Sequence, residues 1–174
     1  MSHALKTFTP LNCVVLTVSD TRNEETDTSG QYLVDALKEA KHNFIEKKIV
    51  TDDKYLLRAQ VSAWVADPEV QVIITTGGTG LTGRDVMPES MKPLFDKEIE
   101  GFGELFRLVS FKEIGAATIQ SRAFAGTAGK TLIFCFPGST NACKTAWENI
   151  LLSQLDSRTK PCNFVALFPR MMEK

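Results

Sequence analysis

Residues 73–90 read IITTGGTGLTGRDVMPES: an apolar β-branched run gives way to four glycines set among threonines, and then to the pair Arg84-Asp85. Glycine at the end of a strand leaves the backbone bare, and bare backbone N–H groups are donors suited to an anion. The aspartate adds a carboxylate that can hold a hard cation or orient a phosphate. The chemistry this composition suits is therefore recognition of phosphate.

Three other stretches share the character: SDTRNEETDTSG at 19–30, TDD at 51–53 and PGSTNA at 137–142. Each follows a short run long enough for a strand and no longer, namely Cys13 to Val18, Phe44 to Val50 and Thr131 to Phe136, with Val70 to Thr75 preceding the glycine loop. Between the first two runs, Asp27, Thr28 or Ser29 caps a helix with Tyr32, Leu33, Ala36, Leu37 and Ala40 on one face. Leu57, Val61, Trp64 and Val65 repeat that spacing before Asp67-Pro68 ends a second helix. Strand, helix, strand, helix, strand predicts a single three-layer α/β/α domain with a mostly parallel sheet. Ligands of such sheets bind beyond the carboxyl ends of the strands, where all four polar loops are expected to meet.

The remaining elements are less regular. Residues from Pro88 to Phe111 are helical in pattern with Gly101 and Gly103 as interruptions, and Ala116 to Gly129 fits a short helix or an extra strand. After Phe136, a turn leads into a helix that directs Ala146, Trp147, Ile150, Leu151 and Leu155 inward. Residues 1–9 and 166–174 are expected as loose ends of one domain spanning 1–174.

Composition narrows the function. The chain has 174 residues, 43% hydrophobic and 24% charged, and 20 basic against 21 acidic residues leave a formal net charge of -1. With no global field there is no expectation of nucleic acid or of an anionic membrane as partner. Cys13, Cys135, Cys143 and Cys162 show no C-x-x-C spacing, which predicts neither structural zinc nor disulfides. No apolar run is long enough for a bilayer and the first twenty residues lack a signal-peptide pattern, so a cytoplasmic location is expected. His3, near the terminus, and His42, in a polar KHN turn, are not placed for catalysis, which argues against hydrolase triads and histidine metal sites. The chemistry is left to carboxylates, hydroxyls and backbone dipoles, with or without Mg²⁺.

Two patterns are decoys. GTGLTG at 78–83 matches the dinucleotide fingerprint, yet Pro88 puts the helix start five residues beyond Gly83 and no acid ends a strand near residue 100. GTAGKT at 126–131 has Phe124 where a phosphate loop needs its first glycine, and it leads into a strand. Lys130 is read there as a solvated charge.

The motifs TTGGTGLTGRDVMPES, TVSDTR…DTSG and FPGSTNACKTAWENI, in that setting and order, resemble the molybdopterin adenylyltransferase family of molybdenum-cofactor biosynthesis, most of all its MoaB branch. The resemblance runs from about residue 10 to about residue 165. It implies a three-layer α/β/α fold, trimers or hexamers, and transfer of AMP from Mg-ATP to the terminal phosphate of molybdopterin. It also implies roles. Gly77, Gly78, Thr79 and Gly80, with Arg84, would hold phosphate; Asp85 and Asp52 would be catalytic and hold Mg²⁺; Ser19, Asp20, Thr28, Ser29, Ser139 and Thr140 would line the molybdopterin pocket. Thr51 stands where the family pattern has proline, so Asp52 and Asp53 both remain open for the second aspartate. Thr140 likewise stands where many members have proline.

Each residue also has a plain structural role open to it. Asp85 is placed to cap the helix at Pro88, Thr28, Ser29 and Thr140 to cap their own helices, and Arg84 to form a surface ion pair. Trp64 and Trp147 lie on apolar faces and read as core. Two functions compete within the resemblance: the adenylyltransferase, using ATP or GTP, and a molybdopterin- or nucleotide-binding protein without transfer. An NAD-binding protein is a remote third.

Overall fold

A computed structural model describes residues 4–171 and Glu173; His3 lies outside them. Four parallel strands form the body of the sheet: β1 (Asn12–Val18), β2 (Asn43–Val50), β3 (Val72–Thr76) and β6 (Thr131–Phe136). β4 (Lys97–Glu98) and β5 (Phe124–Ala128) extend it in the spatial order β2-β1-β3-β6-β5-β4, with β5 antiparallel to β6 and β4 antiparallel to β5. β3 and β6 are buried along their whole length because both sheet faces are covered, which explains their unbroken apolar and β-branched sequences.

Alternation along β1 divides the core in two. Cys13 and Val15 face one layer, with Leu33, Leu37, Phe102, Phe106, Phe134 and Trp147; Val14 and Leu16 face the other, with Leu57, Val61, Trp64, Met87 and Met91. The first layer holds α1 (Thr28–Glu39), α4 (Glu100–Ile114) and α5 (Thr140–Ala146); the second holds α2 (Lys54–Ala66) and α3 (Met87–Met91). This is the expected three-layer domain, and the residues expected inward on α1 and α2 are the ones packed there. A π-helical turn, Trp147–Leu151, joins α5 to α6 (Leu152–Gln154) and keeps Trp147, Ile150 and Leu151 buried.

Two local expectations need revision, and two open points gain an answer. Gly101 and Gly103 do not interrupt a helix; both lie inside α4, where Gly103 lets the helix approach β5, since a Cβ there would come 2.4 Å from the Ala123 carbonyl. The ambiguous stretch supplies both alternatives, a 3-10 turn at Gly115–Gln120 and the strand β5. His42, at its polar turn, is buried: its Nδ1 accepts the Leu11 N–H at 3.2 Å, and burial holds its pKa below the usual value. Where a loose end is expected from residue 166, Val165–Arg170 is a 3-10 helix, and Phe168 and Met171 pack on the core.

GTAGKT is the β5–β6 hairpin turn. Gly129 takes φ +56 at its first central position and Lys130 is exposed.

Candidate functional site

The sheet has its topological switch at β1 and β3. The chain leaves β1 for α1 in one layer and leaves β3 for α3 in the other, so the two loops part and open a crevice at the carboxyl edge. That crevice has a volume of about 380 Å³. The ends of β1 (Thr17, Val18, Ser19), β3 (Thr76 to Gly80) and β6 (Pro137, Gly138) line it, together with Arg22 and Asp85. A larger groove, about 840 Å³, runs between α4 and β5, but its walls carry none of the glycine-rich loops, so its size does not make it the site.

The glycines are required by geometry. Gly77 takes φ +108, and a Cβ there would lie 2.2 Å from the Val18 carbonyl oxygen. Gly78 takes φ +66, and a Cβ would strike the Asp52 carboxylate at 2.8 Å. A turn of this kind brings bare backbone N–H groups to the strand end, where they can meet an anion. The four amides expected to cradle phosphate differ in availability. Gly77 N–H donates to the Phe136 carbonyl at 3.0 Å, and the Gly80 amide is directed at Asp85. The N–H groups of Gly78 and Thr79 have no partner among the described residues.

Asp85 closes the loop on itself. Its Oδ2 accepts the Thr82 N–H at 2.8 Å and the Thr82 hydroxyl at 2.6 Å. Burial pushes its pKa up, but the Thr82 hydroxyl and amide and the Gly80 amide outweigh this and hold it below the usual carboxylate range. It is not a helix cap: α3 starts at Met87 after Val86, with no side-chain cap.

Of the two aspartates left open after β2, Asp53 is occupied as the α2 cap, its Oδ1 accepting from Tyr55 N–H at 2.8 Å and Leu56 N–H at 2.9 Å. Asp52 faces Gly78 instead, and its buried Oδ1 has no hydrogen-bond partner among the described residues. Burial, with the like charges of Asp20 and Asp85 added, pushes its pKa up to about 6.

Asp20 and Arg84, expected at the pterin and the phosphate, hold one another. Arg84 Nε donates to Asp20 Oδ2 at 2.9 Å and its NH2 to Oδ1 at 2.6 Å, while the Asp52 N–H also reaches Oδ1 at 3.1 Å. The guanidinium and then the amide keep the Asp20 pKa low. This fork ties the loops after β1, β2 and β3 together at an exposed rim.

The hydroxyl residues form the opposite wall. Ser29 is buried and donates to the Gly138 carbonyl at 2.8 Å; Thr28 and Thr140 hydroxyls meet at 3.0 Å. Ser139 caps α5 by accepting the Ala142 N–H at 3.1 Å, and Ser19 accepts the Thr21 and Arg22 amides.

Three features escape sequence reasoning in whole or in part. Arg122 fastens the glycine loop from behind, donating to the Gly80 and Asp85 carbonyls at 2.8 Å each and pairing with Glu89. Beneath α1, buried Asp27 caps the helix at Gly30 N–H, accepts the Thr17 hydroxyl at 2.7 Å and pairs with Lys47 at 3.1 Å. Arg22 lines the crevice itself. Arg22 leaves a signal as a lone cation in the Ser/Thr/Asp loop quoted above, and Asp27 is legible there as a cap; its bonds to Thr17 and Lys47, and those of Arg122, join distant segments and carry no local pattern.

The donor set suits Mg²⁺. Among the described residues no group of three or more His, Cys, Asp or Glu side chains forms a metal cage, and Mg²⁺ is usually held by one or two carboxylates together with substrate phosphates. The orphaned Asp52 oxygen meets that description.

A doubly wound sheet with two unpaired amides at its switch point defines an α/β protein with a polar crevice beyond the carboxyl ends of its strands. Residues 14–157 match the family described as "Probable molybdopterin binding domain". The chain is 59% identical over 164 residues to Molybdenum cofactor biosynthesis protein B of Escherichia coli (strain K12), covering 94% of this chain and 96% of that one. A crystal structure of Molybdenum cofactor biosynthesis protein B superposes with TM-score 0.82 at 46% identity, covering 84% of this chain and 92% of that one. The tungsten cofactor synthesizing protein MoaB from Pyrococcus furiosus gives TM-score 0.71 at 43% identity, with 85% and 92% covered. The chain belongs to this family of molybdopterin-binding domains, alongside the proteins named Molybdenum cofactor biosynthesis protein B.

Proposed function

We propose that the crevice between β1 and β3 binds molybdopterin by its phosphate and that the protein transfers AMP from Mg-ATP to that phosphate, releasing pyrophosphate. The observation that carries this reading is the pair of unpaired amides, Gly78 and Thr79, in one strand-end crevice, with the unpartnered Asp52 carboxylate directly behind Gly78. The acceptor, a phosphate monoester, has a second pKa of about 6 and is largely dianionic at neutral pH. Its oxygen attacks the α-phosphorus of ATP; one P–O bond forms, the bond to the β-phosphate oxygen breaks, and no general base is needed. The site has to supply alignment and charge neutralisation. Gly78 and Thr79 would hold phosphate oxygens, Asp85 would keep the loop in shape, and Asp52 with Asp85 would hold Mg²⁺, which when bound neutralises the phosphate charge.

A second reading, binding of molybdopterin or nucleotide without transfer, is favoured by Asp85, whose carboxylate is already engaged by Thr82. Incubating the protein with molybdopterin, Mg²⁺ and ATP, and in parallel GTP, while following pyrophosphate and adenylylated pterin separates the two. Pterin binding with no nucleotide transfer would sink the enzyme reading and leave the second.

Self-association into trimers or hexamers is part of the same proposal. Its support is an exposed apolar stripe on α4, formed by Leu105, Leu108 and Phe111, continuing to Ile114 and Ile119. As to location, no helix among the described residues is long and apolar enough to cross a membrane; a cytoplasmic site of action belongs to the proposal.

A further inference from the structure

Three of the cations named at and behind the site are committed. Arg84 is forked onto Asp20, Arg122 is held by Glu89 and two carbonyls, and Lys47 is paired with Asp27 and Glu24. Arg22 has no carboxylate within ion-pair distance among the described residues, and it is the one basic side chain among the residues that line the crevice. Its NH1 makes two bonds to neutral acceptors, the Thr26 carbonyl at 3.3 Å and the Thr28 hydroxyl at 3.2 Å. Both are long beside the roughly 2.7–2.9 Å of a charge-assisted bond to an anion.

The guanidinium is nevertheless well placed. Ser19 pins the Arg22 amide at 3.1 Å, the Asn23 side chain accepts from the Glu25 and Thr26 amides at 3.0 Å each, and Thr28 is fixed by Thr140. The loop that carries Arg22 is thus closed on itself at the end of β1, with the unpaired amides of Gly78 and Thr79 in the same crevice. Asp85 also lines that crevice and Asp52 lies behind Gly78. An incoming dianion therefore needs a compensating cation, and the planar fork of an arginine matches phosphate oxygens where a lysine offers a point charge.

We infer that Arg22 is the specificity-determining residue of this crevice: it binds the phosphate monoester of the ligand and makes the site select a phosphorylated pterin over its dephosphorylated form. The inference rests on the molybdopterin reading and deepens it, since Arg84, the arginine that the sequence places at the phosphate, is held by Asp20.

The test is a fluorescence titration of an oxidised pterin bearing an alkyl phosphate monoester, and of the same pterin after phosphatase treatment, against the wild-type chain, Arg22→Gln and Arg22→Lys. Loss of a charged hydrogen-bond partner is expected to weaken the phosphorylated pterin about 10- to 100-fold in Arg22→Gln, to leave the dephosphorylated pterin unchanged, and to be recovered in part by Arg22→Lys. Equal losses for both ligands, or full retention of the phosphorylated one, would overturn the assignment while leaving the pterin reading in place. Wild-type protein that binds neither pterin would instead overturn the pterin reading. Inorganic pyrophosphate then decides Arg22 by itself: binding lost in Arg22→Gln supports its role at phosphate, and binding indifferent to the substitution removes it. Thermal melts of the three proteins confirm that each is folded.

Discussion

Replacing Asp52 by asparagine should make the protein more stable at neutral pH and not at acid pH. The folded-state pKa of Asp52 is raised from an ordinary 3.8 to about 6, first by burial and then by Asp20 and Asp85. Between those values the folded chain binds more protons than the unfolded chain, so this group's contribution falls as pH rises. It is fully present below about 4 and lost by about 7. A shift of about two units corresponds to about 3 kcal/mol at 1.36 kcal/mol each, and because the carboxyl is partly open to water, screening reduces this to about 1–2 kcal/mol. The substituted amide keeps the shape of the carboxyl group, and the backbone N–H to Asp20 is untouched. Urea unfolding of both proteins at pH 4, 5, 6 and 7.5 should give curves that coincide at pH 4 and separate until the variant leads by about 1–2 kcal/mol at pH 7.5, a few degrees in Tm. Taking the difference removes the opposite slopes of Asp85, Glu89 and Asp156, whose pKa values are lowered. A difference flat with pH, or a variant less stable at pH 7.5, would refute the reasoning. The expected gain in stability, together with lost AMP transfer, would mark Asp52 as a carboxylate kept at a cost to the fold.

Asp53→Ala, one residue on, should behave oppositely: it removes the α2 cap, costs about 1 kcal/mol in urea unfolding and leaves pterin binding intact. Arg122→Leu strips the Gly80 and Asp85 carbonyls of their shared donor, so amide hydrogen exchange of residues 80–85 should quicken and pterin binding weaken, with global stability lowered by about 1–3 kcal/mol. Phe111→Glu on the exposed face of α4 should shift the sedimentation coefficient towards the monomer while the circular dichroism spectrum is retained.

Much of this protein is written locally. The apolar runs of β1, β3 and β6, the inward face of α1 and the bare Gly77-Gly78 turn follow from period, length and the conformations that only glycine accepts cheaply. These are preferences of a few consecutive residues, so they survive without knowledge of the fold. Sequence also brought the four polar loops to one edge, because parallel strands joined by helices must present the same ends together.

Which side chain serves which neighbour was decided by the tertiary structure. Asp52 and Asp53 are adjacent and identical in type, yet the start of α2 claims one for its amides and turns the other towards Gly78. Arg84 finds Asp20 across 64 positions of sequence, and Arg122 reaches Gly80 across 42. Burial of Asp27 and Lys47 as a pair depends on α1 lying over β2. A hydrogen bond between distant residues has no period and leaves no local composition; it exists only once packing has brought donor and acceptor within about 3 Å. The sequence by itself therefore determined that a glycine turn stands at the strand ends, and the fold decided which of its amides and which neighbouring arginine are left without a partner carboxylate or carbonyl from the sheet.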